Sequence, residues 1–380
     1  MKNKNISRIV VKIGSRVLTN EAGLLNKRVV KKLVEDISTL NNERNIEVII
    51  VSSGAVSMGR SVLDISKEMI NLNGIDSDKE IVVEQILASV GQVKLVTEYE
   101  NFFDKHNLQC AQILTTRRDF ADRSAYLNLK LVVENLLKLN IIPIFNENDV
   151  LSQEELDFTD NDQLSYMIAA MLQVDALFIL TDIDGVFNKN PTDPTAKVVH
   201  KIENISKYFS AVDDSISKGK GGMYSKLLSA DIITSLGIPM YIANGMKKNI
   251  ISRILLGQKL GTYFPAKKSK KTALKKWLAT AANEKGTIVV STFLADMLRS
   301  EKTTSVLFPG IENIDGDFDK GDVILIVDEK NNSLAKGIVK YPYNKLQEKI
   351  DQYNNMTDTE KSKVKSSEII AVHYDYLVFI

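Results

Sequence analysis

The strongest constraint on the fold is the stretch from Ile141 to Val186, where two short apolar runs enclose an amphipathic segment. The runs Ile141–Phe145 and Ala176–Leu180 have the length and composition of buried strands. Between them, apolar side chains recur every three or four residues, as on one face of a helix: Leu164, Met167, Ile168, Met171 and Leu172. A strand, a helix and a strand in this order predict a parallel pair joined by a crossover helix.

Polar residues gather at the ends of these strands and at the start of the helix. The three clusters are Asn146-Glu147-Asn148-Asp149, Asp160-Asn161-Asp162 and Thr181-Asp182-Ile183-Asp184. Each alone also suits a structural role, because Asp160 or Asn161 could cap the helix and Asp184-Gly185 could form a tight turn. The three clusters together place more polar side chains at one sheet edge than a helix cap uses, because one cap needs one side-chain oxygen. Since ligands bind outside the carboxyl ends of strands in open α/β sheets, we expect a binding site there.

The alternation of strand and helix extends on both sides of this stretch, from the N-terminus to about Pro265. Further strands are predicted at Ile9–Ile13, Ile46–Val51, Cys110–Leu114 and Ile238–Ala243, and helices near residues 26–40, 81–103 and 123–139. The pattern predicts an α/β/α sandwich with a mainly parallel sheet over residues 1–265.

The C-terminal part of the chain has a different pattern. Residues 267–276 include six lysines in ten positions, so we expect a lysine-rich, solvated linker at 266–276. Short alternating runs with turn signals then predict a small β-rich domain at 277–380.

Composition narrows the functional classes. Hydrophobic residues make up 44% and charged residues 26% of the 380, with a net charge of +1, so no global field favours nucleic acid or membrane. The single cysteine, Cys110, allows no internal disulfide and is expected to be buried, and three scattered histidines lack zinc-site spacing. No apolar run approaches the length of a membrane-spanning helix, so we expect a cytoplasmic protein with no membrane association.

Three glycine-containing turns have the character of phosphate-binding loops. Gly14-Ser15 and Gly54-Ala55 each follow a predicted strand, and Gly219–Gly222 precedes a predicted helix, where free N–H groups favour anions. No Walker loop, dinucleotide fingerprint or protein-kinase signature occurs. Generic motifs therefore indicate only a phosphate-binding α/β protein.

More specific motifs occur in a fixed order between Val10 and Lys226. They are Val10-Val11-Lys12-Ile13-Gly14-Ser15, Val51-Ser52-Ser53-Gly54-Ala55, Asn146-Glu147-Asn148-Asp149, Asp160-Asn161-Asp162-Gln163-Leu164-Ser165, Thr181-Asp182-Ile183-Asp184-Gly185 and Gly221-Gly222-Met223-Tyr224-Ser225-Lys226. In these motifs the chain resembles the amino-acid kinase family, in particular its members that phosphorylate glutamate. The segment from Trp277 resembles a PUA domain.

The resemblance implies a role for each matching residue. Lys12 and Lys226 would stabilise the transferring phosphoryl group, and Asp162 would hold both lysines. Ser53, Asp149 and Asn161 would bind glutamate, with Asp160 helping at its ammonium. The ATP-binding residues would be Lys12, Thr181, Asp182, Lys220, Gly221, Gly222, Met223, Tyr224, Ser225 and Lys226. Mg²⁺ would travel on the ATP phosphates, without direct protein ligands.

The resemblance also implies a reaction and partners. The chain would convert L-glutamate and ATP to L-glutamyl 5-phosphate, the first step of proline biosynthesis. Feedback inhibition by proline, a homo-oligomer and a downstream glutamyl phosphate reductase are further expectations. A γ-carboxylate with a pKa near 4.3 is already an ionised nucleophile, so no general base is required.

Three stretches depart from the family pattern: Ser15-Arg16, Glu84-Gln85 and the long polar segment 64–79, whose conformation is not predicted.

Two other interpretations of the function are open, although the Asn146–Asp149 and Asp160–Asp162 motifs and the PUA-like tail argue against the first of them. A sibling kinase acting on aspartate, acetylglutamate or UMP is the second interpretation. The third is an RNA-binding protein working through its tail. From Trp277 to Ile380 the sequence has 12 Lys/Arg and 16 Asp/Glu, a balance of −4, which argues against RNA as a partner.

Overall fold

The computed structural model describes most of the chain, with the side chains of Glu80 and Ser366 left out. The described residues are 6–20, 24–63, 80–151, 161–209, 222–268, 272–300 and 304–380. They form two compact units. The first comprises Met1–Asp119 and Ser124–Lys270, and the second comprises Phe120–Arg123 and Lys271–Ile380.

The described strands of the first unit form one seven-stranded sheet. They are β1 (Arg8–Ile13), β2 (Glu47–Ser52), β3 (Gln109–Thr115), β4 (Ile141–Glu147), β5 (Ala176–Thr181), β6 (Met240–Asn244) and β7 (Thr262–Phe264). Their order is β3-β4-β2-β1-β5-β6-β7, and every neighbouring pair is parallel except β6 with β7. The predicted α/β fold with a mainly parallel sheet is confirmed.

Helices connect these strands along the chain. They are α1 (Ser15–Leu18), α2 (Lys27–Arg44), α3 (Ala55–Arg60), α4 (Glu80–Phe103), α5 (Arg117–Ala121), α6 (Arg123–Lys138), α7 (Asn161–Leu172), α8 (Ser206–Phe209), α9 (Met223–Ser235) and α10 (Ile250–Leu255). The helix expected from residue 26 begins at Lys27 because the Asn26 side chain accepts the Val29 N–H, as an N-cap does.

The centre of the sheet explains the long apolar runs in the sequence. Every residue of β5 is buried, and β1 is buried after Arg8. Parallel strands covered by helices on both faces read as continuous apolar segments. Helix α7 is also buried from Asp162 to Leu172, apart from the half-exposed Gln163, so a charged residue at its start lies inside the unit.

Cys110 is less buried than the sequence predicted. Strand β3 is the edge strand of the sheet, so it has a partner on one side only, and Cys110 is half-buried. Burial and the nearby acidic residues Glu100 and Asp104 raise the pKa of its thiol to about 11. The thiol is therefore protonated at neutral pH.

Helices α3 and α4 cross at a distance that only glycine permits. A Cβ added to Gly91 would lie 1.8 Å from the Ala55 carbonyl oxygen, and one added to Gly59 would lie 1.9 Å from the Leu87 carbonyl oxygen. Because α3 begins directly after Gly54, this crossing fixes the position of the turn that follows β2.

The second unit has its own sheet and core. Its described strands are β8 (Gly286–Val290), β9 (Val306–Leu307), β10 (Ile311–Gly316), β11 (Val323–Val327), β12 (Ser333–Val339) and β13 (Ile370–Phe379), in the order β10-β8-β11-β12-β13-β9. Its helices are α11 (Ala273–Thr280), α12 (Thr292–Arg299), α13 (Tyr343–Asn354) and α14 (Asp358–Lys361). The predicted β-rich C-terminal domain is confirmed. Helix α11 begins inside the 266–276 segment, so the last residues of that segment are helical.

Among the residues that the structure describes, no helix combines the length and the apolar character needed to cross a membrane.

Candidate active site

Three charged side chains from three elements meet at the carboxyl edge of the central strands. Lys12 comes from β1, Asp162 from the first turn of α7 and Lys226 from the first turn of α9. The Lys12 Nζ lies 2.6 Å from Asp162 Oδ1, and the Lys226 Nζ lies 3.0 Å from Asp162 Oδ2. The Asp162 side chain is 0% exposed, and those of Lys12 and Lys226 are 6% and 7% exposed. One buried carboxylate therefore holds two ammonium groups apart at fixed positions.

The electrostatics of this cluster keep Asp162 ionised. Burial raises the pKa of its carboxyl, but the charges and hydrogen bonds of Lys12 and Lys226 outweigh that effect and place the pKa below the ordinary 3.8. Two ammonium groups fixed at the sheet edge favour an anionic ligand there.

Gly14 leaves space beside the Lys12 ammonium. A Cβ at this position would lie 3.2 Å from the Leu180 carbonyl oxygen and 4.0 Å from the Lys12 Nζ. The Gly14 N–H donates to Leu180 O at 3.0 Å, which holds the end of β1 against β5. Backbone rather than a side chain therefore borders the ammonium group.

A polar cluster adjoins the charged one at the ends of β2 and β4. The Asn161 Nδ2 lies 3.0 Å from Ser53 Oγ, 3.3 Å from Asn146 Oδ1 and 3.4 Å from Ser52 O. These acceptors orient the amide, so its Oδ1 points the other way. That oxygen is buried and has no hydrogen-bond partner among the described residues. It is an acceptor suited to a ligand N–H group.

Tyr99 of α4 supports this cluster from behind. Its hydroxyl lies 3.0 Å from Ser52 Oγ, and the Ser52 hydroxyl lies 3.1 Å from Ser53 O. If Ser52 donates to that carbonyl, Tyr99 is the donor to Ser52. Tyr99 is fully buried, and burial raises the pKa of its hydroxyl, so it remains protonated as the donor role requires.

Of the two remaining residues predicted to bind glutamate, the structure describes one. Asp149 lies half-buried just after β4, where the Asn148 N–H donates to Thr115 O at 2.9 Å. Asp160 lies outside the described residues, as does the 64–79 segment.

The residues predicted to bind ATP fall into two groups. Thr181, at the end of β5, donates from Oγ1 to Asp182 Oδ1 at 3.0 Å. Gly222 lies at the N-cap of α9 with no side-chain cap, followed by half-buried Met223 and Ser225. The exposed Tyr224 ring lies 5.3 Å from that of Phe209. Lys220 and Gly221 lie outside the described residues.

The inward face of helix α9 does not follow from its apolar residues alone. Leu227 is buried, but the adjacent Leu228 is 45% exposed. The inward side of the first turn is occupied instead by Lys226. The apolar periodicity could not show this, because a lysine that reaches a buried carboxylate has the same sequence signature as a surface lysine.

Sequence reasoning assigned no individual role to four residues of the site's framework. Asn146 orients Asn161. Asn244, at the end of β6, donates to Asp182 O and to Asp184 in the turn after β5, and Lys247 donates to Asp184. Asn146 and Asp184 stand in the polar clusters predicted to lie at the sheet edge, although Asp184 also suited a tight turn. Asn244-Gly245 likewise reads as a turn, and nothing local marks Lys247.

The arrangement suits the transfer of an anionic group. Two fixed ammonium groups can stabilise the equatorial oxygens of a phosphoryl group, and the neighbouring amide and hydroxyl groups can orient an acceptor. The described residues contain no group of three or more His, Cys, Asp or Glu side chains placed to hold a metal ion.

Comparison with known proteins agrees with this geometry. The sequence matches the Amino acid kinase family over residues 7–244 and the PUA domain over residues 286–352. A Glutamate 5-kinase from Caldanaerobacter subterraneus subsp. tengcongensis is 39% identical over 337 residues, 88% of each chain. Glutamate 5-kinases from Thermoanaerobacter sp. (strain X514) and Bacteroides thetaiotaomicron are 34% and 36% identical over 378 and 380 residues, at least 98% of each chain. The chain belongs to the amino acid kinase family, in its glutamate 5-kinase branch, and a PUA domain follows the kinase domain.

Proposed function

We propose that this chain transfers the γ-phosphoryl group of ATP to the γ-carboxylate of L-glutamate, giving L-glutamyl 5-phosphate and ADP. The observation that carries the proposal is the buried Asp162 carboxylate between the Lys12 and Lys226 ammonium groups. The reaction is the first step of proline biosynthesis. Three relatives named glutamate 5-kinase, similar over most of the chain, support the substrate.

The proposed mechanism relies on position and charge. The γ-carboxylate is ionised at neutral pH and attacks the γ-phosphorus in line with the departing ADP oxygen. A carboxylate oxygen forms the new P–O bond, and the electron pair of the broken bond remains on ADP. Lys12 and Lys226 stabilise the charge that develops on the transferring group. Asp162 keeps the two lysines in place before ATP arrives and during the transfer.

We assign glutamate to the polar cluster beside this centre. Ser53, Asn161 and Asp149 bind it, with Asp160 helping at the α-ammonium. The buried Oδ1 of Asn161 supports this assignment, because it is an acceptor placed beside Ser53 that an ammonium group can satisfy.

We assign ATP to Lys12, Thr181, Asp182 and the 220–226 segment. The N-terminus of α9 supports the phosphate assignment, since the backbone N–H groups and the positive end of a helix attract anions. Mg²⁺ enters as part of the MgATP substrate, on the nucleotide phosphates.

Several wider assignments rest on the sequence pattern and on the resemblance. From the pattern we propose a kinase domain at 1–265, a linker at 266–276 and a PUA domain at 277–380, with cytoplasmic location. From the resemblance alone we propose a homo-oligomeric state and inhibition by proline. Glutamyl phosphate is a reactive acyl phosphate, so a reductase that consumes it directly is the expected downstream partner. The acidic balance of the tail supports weak or no RNA binding at physiological salt.

An acceptor panel tests the proposed function. The purified chain is incubated with MgATP and hydroxylamine, which traps acyl phosphates as hydroxamates. Glutamate, aspartate and acetylglutamate are compared, with ADP release measured for UMP. We expect turnover with glutamate to exceed that with the others. Preference for another acceptor would assign the chain to a sibling activity, and turnover with none would refute the proposal.

A further inference from the structure

Two residues at and just after the end of β6, Asn244 and Lys247, are hydrogen-bonded to Asp184 in the turn that follows β5. Strands β5 and β6 are parallel neighbours, and Thr181 lies in register with Asn244. The Asn244 Nδ2 donates to Asp184 Oδ1 at 2.9 Å, and the Lys247 Nζ donates to Asp184 Oδ2 at 2.7 Å. Both oxygens of one carboxylate are therefore held from the neighbouring strand end.

Asn244 also holds the backbone of the turn. Its Nδ2 lies 3.3 Å from Asp182 O, and its Oδ1 accepts the Met246 N–H at 3.0 Å. The next residue donates from Gly245 N to Thr181 O at 2.9 Å. The amide thus has a defined orientation, because exchanging its oxygen and nitrogen would break every one of its bonds.

The side chains of Thr181 and Asp182 depend on this backbone. The Thr181 Oγ1 donates to Asp182 Oδ1, and the exposed Arg16 guanidinium lies 3.6 Å from Asp182 Oδ2. Gly185, at the end of the turn, has φ +146° and would bring a Cβ within 2.6 Å of Thr262 Oγ1. Glycine thus sets the far end of the turn, while Asn244 sets its beginning.

From these contacts we infer that Asn244 is a positioning residue for the nucleotide. It acts through the backbone at Asp182 and the carboxylate of Asp184, without contacting the reacting atoms. The inference rests on the proposed ATP-binding role of Thr181 and Asp182. A turn that is already in its bound conformation loses less conformational entropy when ATP binds. Loss of both Nδ2 bonds should therefore weaken ATP binding about 5- to 30-fold.

Direct binding of MgATP, measured by calorimetry without glutamate, tests the inference. We expect Asn244→Ala to raise the Kd about 5- to 30-fold. Asn244→Asp keeps the size of the side chain but replaces the donor with a second carboxylate facing Asp184. Its Kd for MgATP should therefore rise at least as much as that of Asn244→Ala. In steady-state assays the KM for ATP should rise for both variants, with the KM for glutamate unchanged.

Two further variants separate this role from simpler ones. Asn135→Ala removes an exposed amide that donates to Leu131 O within its own helix, and it should leave both KM values unchanged. Lys247→Met removes the ammonium but keeps Asn244, so it should weaken ATP binding less than Asn244→Ala. A larger effect of Lys247→Met would overturn the inference and assign the role to its charge.

The outcomes also distinguish this inference from the proposed function. A folded Asn244→Ala variant with unchanged Kd would overturn the inference even if the wild type phosphorylates glutamate. Equal losses for ATP and glutamate, with a lowered Tm, would overturn it in favour of a general role in folding. Weakened ATP binding in a chain whose wild type phosphorylates no glutamate would support the inference while the proposed function fails.

Discussion

Replacing Asp162 by Asn removes one negative charge from between two buried ammonium groups. At an effective dielectric constant of about 20, attraction across 2.6 Å and 3.0 Å amounts to about 6 and about 5.5 kcal/mol before the cost of burial. Removing one partner of a buried pair costs about 3–5 kcal/mol, because the remaining charge is left uncompensated. At about 2–4 °C per kcal/mol, the Tm of the kinase domain should fall by roughly 6–20 °C.

Thermal unfolding and turnover are measured on the same Asp162→Asn preparation. We expect kcat to fall roughly 10²–10³-fold, since both lysines lose their fixed positions. Asp231→Asn is a matched control, because Asp231 pairs with Lys267 at 2.7 Å on the surface, where such pairs contribute about 0–1 kcal/mol. An Asp162→Asn variant as stable and as active as the control would refute the reasoning.

The same variant has a predicted pH dependence. Because the folded-state pKa of Asp162 lies below 3.8, the ionised carboxylate contributes its full stabilisation above that value. The contribution is lost as pH falls through the lowered pKa. The stability difference between the wild type and Asp162→Asn should therefore hold from about pH 7 to about pH 5 and narrow below about pH 4. A difference that narrows toward alkaline pH would contradict the assignment.

Four further substitutions probe the site and the helix crossing beside it. Lys12→Met and Lys226→Met should each lower kcat roughly 10²–10³-fold with little change in the KM for glutamate, and near-normal kcat would remove that lysine from the mechanism. Asp149→Ala should weaken glutamate binding by about 2–5 kcal/mol and leave ATP binding nearly intact; equal losses would indicate a misfolded loop. Gly91→Ala would bring a methyl group 1.8 Å from Ala55 O, so thermal or urea unfolding should show a loss of about 1–3 kcal/mol, and no loss would show that the helix crossing opens freely.

The parts of the fold that follow from periodicity were predictable. Strands β1, β2, β4 and β5 are continuous apolar runs, because parallel strands in a sheet covered on both faces have no polar side. Their carboxyl ends share one edge, and a binding site at that edge was predictable from the strand and helix pattern. The contact between Lys12 and Asp162, far apart in the sequence, was instead an implication of the family resemblance.

Contacts made by residues with ordinary local signals were not predictable. Asp36, in the middle of α2, accepts the N–H groups of Ile251 and Ser252 at 2.9 and 3.3 Å, so it caps helix α10 from a distant part of the sequence. Burial raises the pKa of its carboxyl despite these bonds. An aspartate on a helix surface has the same sequence pattern. Asn244 is a similar case, because its partners become visible only once β5 and β6 are in register.

The most direct test of phosphoryl transfer to the γ-carboxylate follows an oxygen atom. Glutamate with ¹⁸O in both γ-carboxylate oxygens is incubated with the chain, MgATP and hydroxylamine. If the carboxylate attacks phosphorus, hydroxylamine then displaces phosphate from the carbonyl carbon, and the bridging oxygen leaves with phosphate. The account predicts one ¹⁸O in each inorganic phosphate released with the hydroxamate, measured by mass spectrometry. Phosphate without ¹⁸O would contradict it, since hydrolysis of ATP by water transfers no oxygen from glutamate.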